Sequence, residues 1–319
     1  MGITLAGHYT QERKERELSM NVKEYMKKAY EKGILIPAFN AAYHEMVQPI
    51  CETLKRLNTY GLCEISRPDI EKFGIDSFAK AAEFYFKYAD PDYMSLHQDH
   101  VPVVDEDGLD VHYKALIREA LDAGYQSVMI DASRISLEDN IRITAEIVEI
   151  AHKKGAPVEA ELGAVLGHES GPPPSYEELV STGKGFTRLE DAERHVKESG
   201  VDWLSVAVGN IHGAITGSYK DEDKVEARLD IDHFKKLKEA TGIPLVLHGG
   251  SGINRDNIME AAQNGLSKLN IGTDLRHAYE RSMRENNSVE KAQESVSRKM
   301  EQLIVDYYGI AGSKEKLEA

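Results

Sequence analysis

Eight short runs rich in β-branched and aliphatic residues recur between longer amphipathic stretches, and this alternation limits the possible fold more than any other feature. The runs are ILIPAF (34–39), GLCEI (61–65), YMSLHQD (93–99), SVMID (127–131), PVEAELG (157–163), WLSVAVG (203–209), PLVLHG (244–249) and LSKLNIG (266–272). Segments of helical period lie between them at 43–58, 75–88, 110–123, 136–154, 188–199, 231–241 and 254–264, and another, 21–32, precedes the first run. Strands alternating with helices form a parallel sheet, and eight of them close a (β/α)8 TIM barrel. A doubly wound open sheet is the competing architecture, but the first run lacks the GxGxxG turn that a dinucleotide site would place after it.

One such barrel would use most of the 319 residues, and an apolar content of 41% is ample for its core. The reading divides the chain into a polar N-terminal extension (1–20), an α/β barrel as a single domain (21–285) and a C-terminal helical extension (286–319), which packs outside the barrel or against a second subunit. A formal charge of −15 with no Lys/Arg-rich block argues against nucleic acid or an anionic membrane as partner and favours a small-molecule ligand. Cys51 and Cys63 are too few for a disulfide scaffold and form no CxxC pair. The first twenty residues are polar and lack an apolar h-region. Gly2 stands where a myristoylation signal would have it, but Ala6 replaces the Ser or Thr such a signal needs. A soluble, cytoplasmic protein is expected.

Short Gly/Pro turns before the strands, such as Gly155-Ala156-Pro157 and Gly242-Ile243-Pro244, mark one barrel rim as structural and leave function to the other. Two connections, 164–187 and 210–230, are too long for simple turns and read as lids or walls over a site. On the functional rim three histidines end apolar runs: His100 after YMSLHQD, His212 after WLSVAVGNI, and His248 in PLVLHGG. Singly each reads as a packed side chain. Together, at corresponding strand ends, they point to one metal ion in an open-sided site acting as a Lewis acid.

Asp99 precedes His100 and pairs a carboxylate with a candidate ligand for proton exchange; an N-cap aspartate beside two packed histidines, His97 and His100, is the structural alternative. Glu159 and Glu161 share one strand face, as a metal ligand with its support or as a paired polar layer inside the barrel. Glu169 in GHESG is a base that would arrive on loop closure, or a solvated surface charge. HGGSG (248–252) and NIGTD (270–274) follow adjacent strands where barrels commonly bind phosphate through loop N–H groups. Within them Gly249, Ser251, Gly272, Thr273 and Asp274 are candidate phosphate contacts.

The ordered set IPAFN (36–40), HQDH (97–100), MIDAS (129–133), VEAELG (158–163), GVDWLSVAVGNIHG (200–213), LVLHGGSG (245–252) and LSKLNIGTD (266–274) resembles the class II, metal-dependent fructose-bisphosphate and tagatose-bisphosphate aldolases over roughly residues 21–285. The resemblance implies Zn2+ held by His100, His212 and His248, with Glu161 near the metal and Asp131 able to hold a displaced or second divalent ion. It implies Asp99 as acid/base at the C4 hydroxyl, Glu169 as the group exchanging the dihydroxyacetone-phosphate proton, and Asn270 against the enediolate. Gly213, Gly249, Ser251, Asn270 and Thr273 match ketose, phosphate and monovalent-cation (Na+ or K+) positions, and Ser66 matches a serine near the far phosphate. A phosphosugar substrate, fructose 1,6-bisphosphate first, and a homodimer or homotetramer follow from the same resemblance.

The sequence also departs from that family. Arg67-Pro68-Asp69 follows Ser66 where small residues are common, GNIHG replaces GTSHG, and the insertion PPPSYEELVSTGKGF (172–186) differs from the usual short lid. Arg67, with Lys184 second, is therefore a candidate contact for another anionic tail, making tagatose bisphosphate or a ketose 1-phosphate with a carboxylate or sulfonate tail the alternative substrate. A Schiff-base aldolase would need a lysine of depressed pKa, for which only Lys268 is placed. A metal-dependent hydrolase would want an HxH pair on the first strand, which ends PAFN. A non-catalytic sugar-phosphate-binding subunit would be expected to have lost Asp99, Glu169 or a histidine, and all are present.

Overall fold

The computed structural model describes residues 20–163, 183, 185–210 and 227–319. Eight parallel strands close into a barrel in sequence order, with the eighth pairing back onto the first. They are β1 (Ile36–Asn40), β2 (Gly61–Ser66), β3 (Met94–Asp99), β4 (Ser127–Ile130), β5 (Val158–Leu162), β6 (Trp203–Val206), β7 (Leu245–Leu247) and β8 (Leu266–Ile271). The α/β barrel expected from the apolar runs is thus present, and each strand falls inside or within one residue of its run.

The helices are α1 (Val22–Lys32), α2 (His44–Arg56), α3 (Arg67–Lys72), α4 (Phe78–Tyr88), α5 (Tyr113–Ala123), α6 (Leu137–His152), α7 (Leu189–Ser199), α8 (Ile231–Thr241), α9 (Arg255–Gln263), α10 (Thr273–Asn286), α11 (Val289–Glu301) and α12 (Ser313–Glu318). Three depart from the sequence pattern, and α4, capped by Ser77, starts three residues later than its period suggests. α5 starts three residues later than its period suggests, because Val104 and Asp110 form an antiparallel bridge and Val111 N–H donates to the Val103 carbonyl. α3 follows β2 without a loop, since Ser66 caps it and Asp69 returns the bond in a capping box.

The strand starts are closed by an apolar plug in which Val22, Tyr25 and Met26 of α1 and Leu317 of α12 pack on Tyr60, Trp203 and Val246. Tyr25 stacks on Tyr60 at 3.5 Å between ring centroids and donates to Glu318 Oε1 at 2.6 Å. The C-terminal segment therefore packs on its own barrel. α11 also lies on α2 and α10, with Gln293 donating to the Glu45 carbonyl and Lys299 paired with Asp274. No described helix is long and apolar enough to cross a membrane.

Above the plug the barrel interior is polar. Glu64, Ser95, His97, Glu159 and Lys268 are all fully buried there, where branched aliphatic layers are usual. Strand register then lifts the next inward residues to the open rim: Ser66 lies opposite Asp99, two residues beyond the Glu64–His97 pair, and Asn270 stands two residues beyond Lys268.

Candidate active site

A cavity of about 460 Å³ opens at the C-terminal rim, lined among others by Asn40, Asp99, His100, Asp131, Glu161, His248 and Asn270. With Ser66 of β2, residues from seven strands or the turns that follow them converge on one space. His97 and Asp99 alternate into the barrel with the strand, but His100 leaves that pattern with φ +32°, a conformation rare outside glycine, and this turn brings its ring to the same cavity. The His100 and His248 rings meet edge to face at 4.4 Å between centroids. Gly249, in left-handed backbone, then bends the chain away beneath the cavity; a Cβ on Gly250 would stand 2.9 Å from the Asn270 carbonyl.

Carboxylates surround the two rings. His248 Nδ1 lies 3.1 Å and His100 Nδ1 3.9 Å from Glu161 Oε2, and His100 Nδ1 lies 3.4 Å from Asp131 Oδ2. On its other edge His248 Nε2 is 2.9 Å from Glu159 Oε1. Burial works to lower both histidines, yet the surrounding acids outweigh it and raise His100 to about 10 and His248 to about 9. Burial and the nearby Asp131 raise Glu161. Asp131 is held below the usual carboxylate range, because its bonds with His100 and Ser133 overcome its burial. The groups Asp99–His100–His248 and His100–Asp131–Glu161 each bring three donor atoms within 4.8 Å of one another. Glu161 Oε2 faces both rings, so a cation bound between them would meet this carboxylate in place of the ring protons. Two imidazoles with carboxylates suit a borderline divalent ion such as zinc.

Asp99 sits between two amides. Asn40 Nδ2 donates to Oδ2 at 2.8 Å and Asn270 Nδ2 to Oδ1 at 2.9 Å. Burial would raise its pKa, but His100, Lys268 and His248 bring it down to about 2, leaving a charged carboxylate with both oxygens oriented. Below it Lys268 Nζ lies 2.7 Å from both Glu64 Oε1 and Glu159 Oε2. That ammonium is fully buried, and although burial would lower its pKa, Glu159 and Glu64 raise it. A lysine held protonated between two glutamates below the cavity is no Schiff-base nucleophile. It also supplies the cation for the deeper Glu64–His97–Asp99 group.

The structure brings Asp99, His100, Asp131, Glu161, His248, Asn270, Ser66, Arg67, Gly249, Ser251, Gly272 and Thr273 to one cavity. Glu159 and Glu161 divide the two readings offered for them: Glu161 faces the cavity, while Glu159 joins the buried layer with Trp203, His248 and Lys268. Asp274 does not line the cavity. One position past Thr273 on α10, its side chain turns toward α11 and lies 3.5 Å from Lys299 Nζ. Glu169, His212, Gly213 and Lys184 lie outside the described residues. Sequence reasoning gave no role to Asn40, Asp69, Asp105, Arg134 or Arg276, which also line the cavity. Asn40 carried a signal, a polar residue closing an apolar strand; the others sit in turns or first helical turns, where sequence does not fix direction.

The profile of the family described as "Fructose-bisphosphate aldolase class-II" matches residues 20–316. The chain belongs to this family. A fructose-bisphosphate aldolase from Helicobacter pylori (strain J99) is 31% identical over 291 residues, covering 85% of this chain and 88% of that protein. The fructose-bisphosphate aldolase of Geobacillus stearothermophilus is 40% identical over 168 residues, an alignment spanning 53% of each protein, so the chain covers about half the length of this relative. Among solved structures, the YdjI aldolase from Escherichia coli K12 is similar with a TM-score of 0.71 at 26% identity, covering 93% of this chain and 99% of that one. Class II aldolases are generally metal-dependent, in keeping with the donor groups around His100 and His248.

Proposed function

We propose that the chain is a zinc-dependent aldolase that reversibly splits a ketose 1-phosphate, with or without a second phosphate, into dihydroxyacetone phosphate and an aldehyde. The observation that carries this reading is the charged Asp99, oriented by two asparagines beside a His/Glu/Asp donor set in one cavity. His100 and His248 would hold the ion with Glu161 beside them, and His212 completes the set by family resemblance. When bound, the ion supplies a Lewis acid to the ketose carbonyl.

This chain's own groups move the protons. Asp99 accepts the C4 hydroxyl proton as the C4 oxygen becomes the aldehyde carbonyl, and the C3–C4 electron pair passes toward C2. Glu169, by family resemblance, returns a proton to C3. Asn270 holds Asp99 with its amide and, by family resemblance, lies against the enediolate. The substrate phosphate is taken by the turns Gly249–Ser251 and Gly272–Thr273, the latter opening the 14-residue α10, which has no side-chain N-cap hydrogen bond. Dihydroxyacetone phosphate release from fructose 1,6-bisphosphate and from ketose 1-phosphates without a second phosphate tests the reading. Activity is expected to vanish with a chelator and to return with Zn2+, and no release from any ketose 1-phosphate by the zinc-loaded protein refutes it.

Metal loading should be steeply pH-dependent. His100 and His248 are raised to about 10 and about 9, so both carry protons at neutral pH in the ion-free protein and must lose them to bind through nitrogen. Apparent zinc affinity is expected to fall about tenfold per pH unit for each proton displaced as pH drops from about 8 to 6. Calorimetric titration in buffers of different ionisation enthalpy counts those protons; a count of zero contradicts ligation by these rings.

A further inference from the structure

From the wall of the cavity that follows β2 and β3, we infer that the aldehyde half of the substrate carries no phosphate, and that Asp69 is a residue that sets this preference. This deepens the aldolase reading and rests on it. A phosphate dianion needs several unspent donors, and among the described residues the half-buried or buried donor side chains of this wall, Ser66, Arg67 and Arg276, are each paired with a carboxylate. Ser66, in the position expected to meet a far phosphate, donates both its N–H (2.7 Å) and its hydroxyl (2.6 Å) to Asp69 Oδ2. Arg67 Nη2 lies 2.7 Å from Glu71 Oε1 and 3.3 Å from Asp105 Oδ2. Arg276 Nη1 holds both oxygens of Glu280, and its guanidinium lies over the Phe73 ring at 4.8 Å.

What the wall presents instead are acceptors. Asp69 and Asp105 line the cavity with Glu106, and Asp69 is 5% exposed; burial raises its carboxyl to about 7, so above that pH it carries a charge that water screens little. A dianion there would face like charge, whereas sugar hydroxyls would donate to these oxygens. Arg134, at the mouth, is exposed and screened accordingly. The capping box explains why the departure from small residues after Ser66 matters: Arg67-Pro68-Asp69 starts a helix and turns the serine's donors inward.

The test runs in the condensation direction with the zinc-loaded full chain, dihydroxyacetone phosphate and three aldehydes: D-glyceraldehyde, L-glyceraldehyde and D-glyceraldehyde 3-phosphate. The expected result is a kcat/KM for the better unphosphorylated aldehyde at least about tenfold above that for the phosphorylated one. A smaller ratio overturns the inference and leaves the aldolase reading standing; no consumption of dihydroxyacetone phosphate with any aldehyde overturns both. Asp69→Asn keeps an acceptor for Ser66 but removes the charge, and is expected to shift the ratio about tenfold toward the phosphorylated aldehyde through KM. A folded variant with an unmoved ratio removes Asp69 from the inference. If Asp69→Asn does not fold, Asp105→Asn gives the same readout with the same two outcomes.

Discussion

Asp99→Asn is expected to lower kcat for dihydroxyacetone phosphate release by about 10²- to 10⁴-fold, with zinc content unchanged. The change removes the proton acceptor without emptying the site. Two amides now donate to the Asp99 carboxylate, and an asparagine there can accept only through its single oxygen. The second donor has a remedy. Asn270 Oδ1 lacks a hydrogen-bond partner among the described residues, so rotating the Asn270 amide lets that oxygen accept from the new side-chain N–H. The fold should therefore tolerate the substitution, and the loss should be catalytic. Coupled kinetics alongside elemental analysis of the purified variant make the check. A variant keeping more than about a tenth of the activity assigns proton transfer at C4 to another group, and one that loses its zinc makes Asp99 a metal-site residue first.

The barrel was legible because its period is written in apolar runs, and β1 through β8 each fall where such a run lies. The rim was legible where chemistry and strand ends coincide: Asp99, His100 and His248 stand at the ends of β3 and β7, and one cavity collects them. Direction was harder to read. Strand alternation alone would send His100 away from Asp99, and only the left-handed turn at His100 brings both to the cavity. Glu159 and Glu161 share a face, as period two requires, but sequence could not rank their depth. The difference of one layer makes one a neighbour of the imidazoles from the cavity side and the other a partner of Lys268. The turns after β2, β3 and β4 were least legible, since Asp69, Asp105 and Arg134 owe their places to a capping box, an antiparallel bridge and a tight turn on Asp131.

The buried layer beneath the site yields the largest expected change in stability. Lys268→Met should destabilise the fold by about 3–5 kcal/mol, because it deletes the cation from a site no water reaches. Glu159 keeps the His248 and Trp203 donors, but its charge, held below the usual carboxylate range because Lys268 and His248 outweigh its burial, loses its nearest compensation. Glu64 answers differently. Burial, with Asp99 and Glu159 nearby, outweighs the pull of Lys268 and raises it to about 8, so at neutral pH it mostly holds a proton. A raised carboxyl favours the fold most below its unfolded pKa, and that contribution is lost as pH climbs through about 8. Glu64→Gln, neutral at every pH, should then cost little at pH 6 and stabilise relative to the parent above about pH 8. Thermal unfolding of the parent and both variants at pH 6, 7.5 and 9 separates these responses. A Lys268→Met variant within about 1 kcal/mol of the parent would mean that the layer is held by packing, and a Glu64→Gln effect independent of pH would mean that Glu64 is ionised throughout, with Lys268 serving two carboxylates at once.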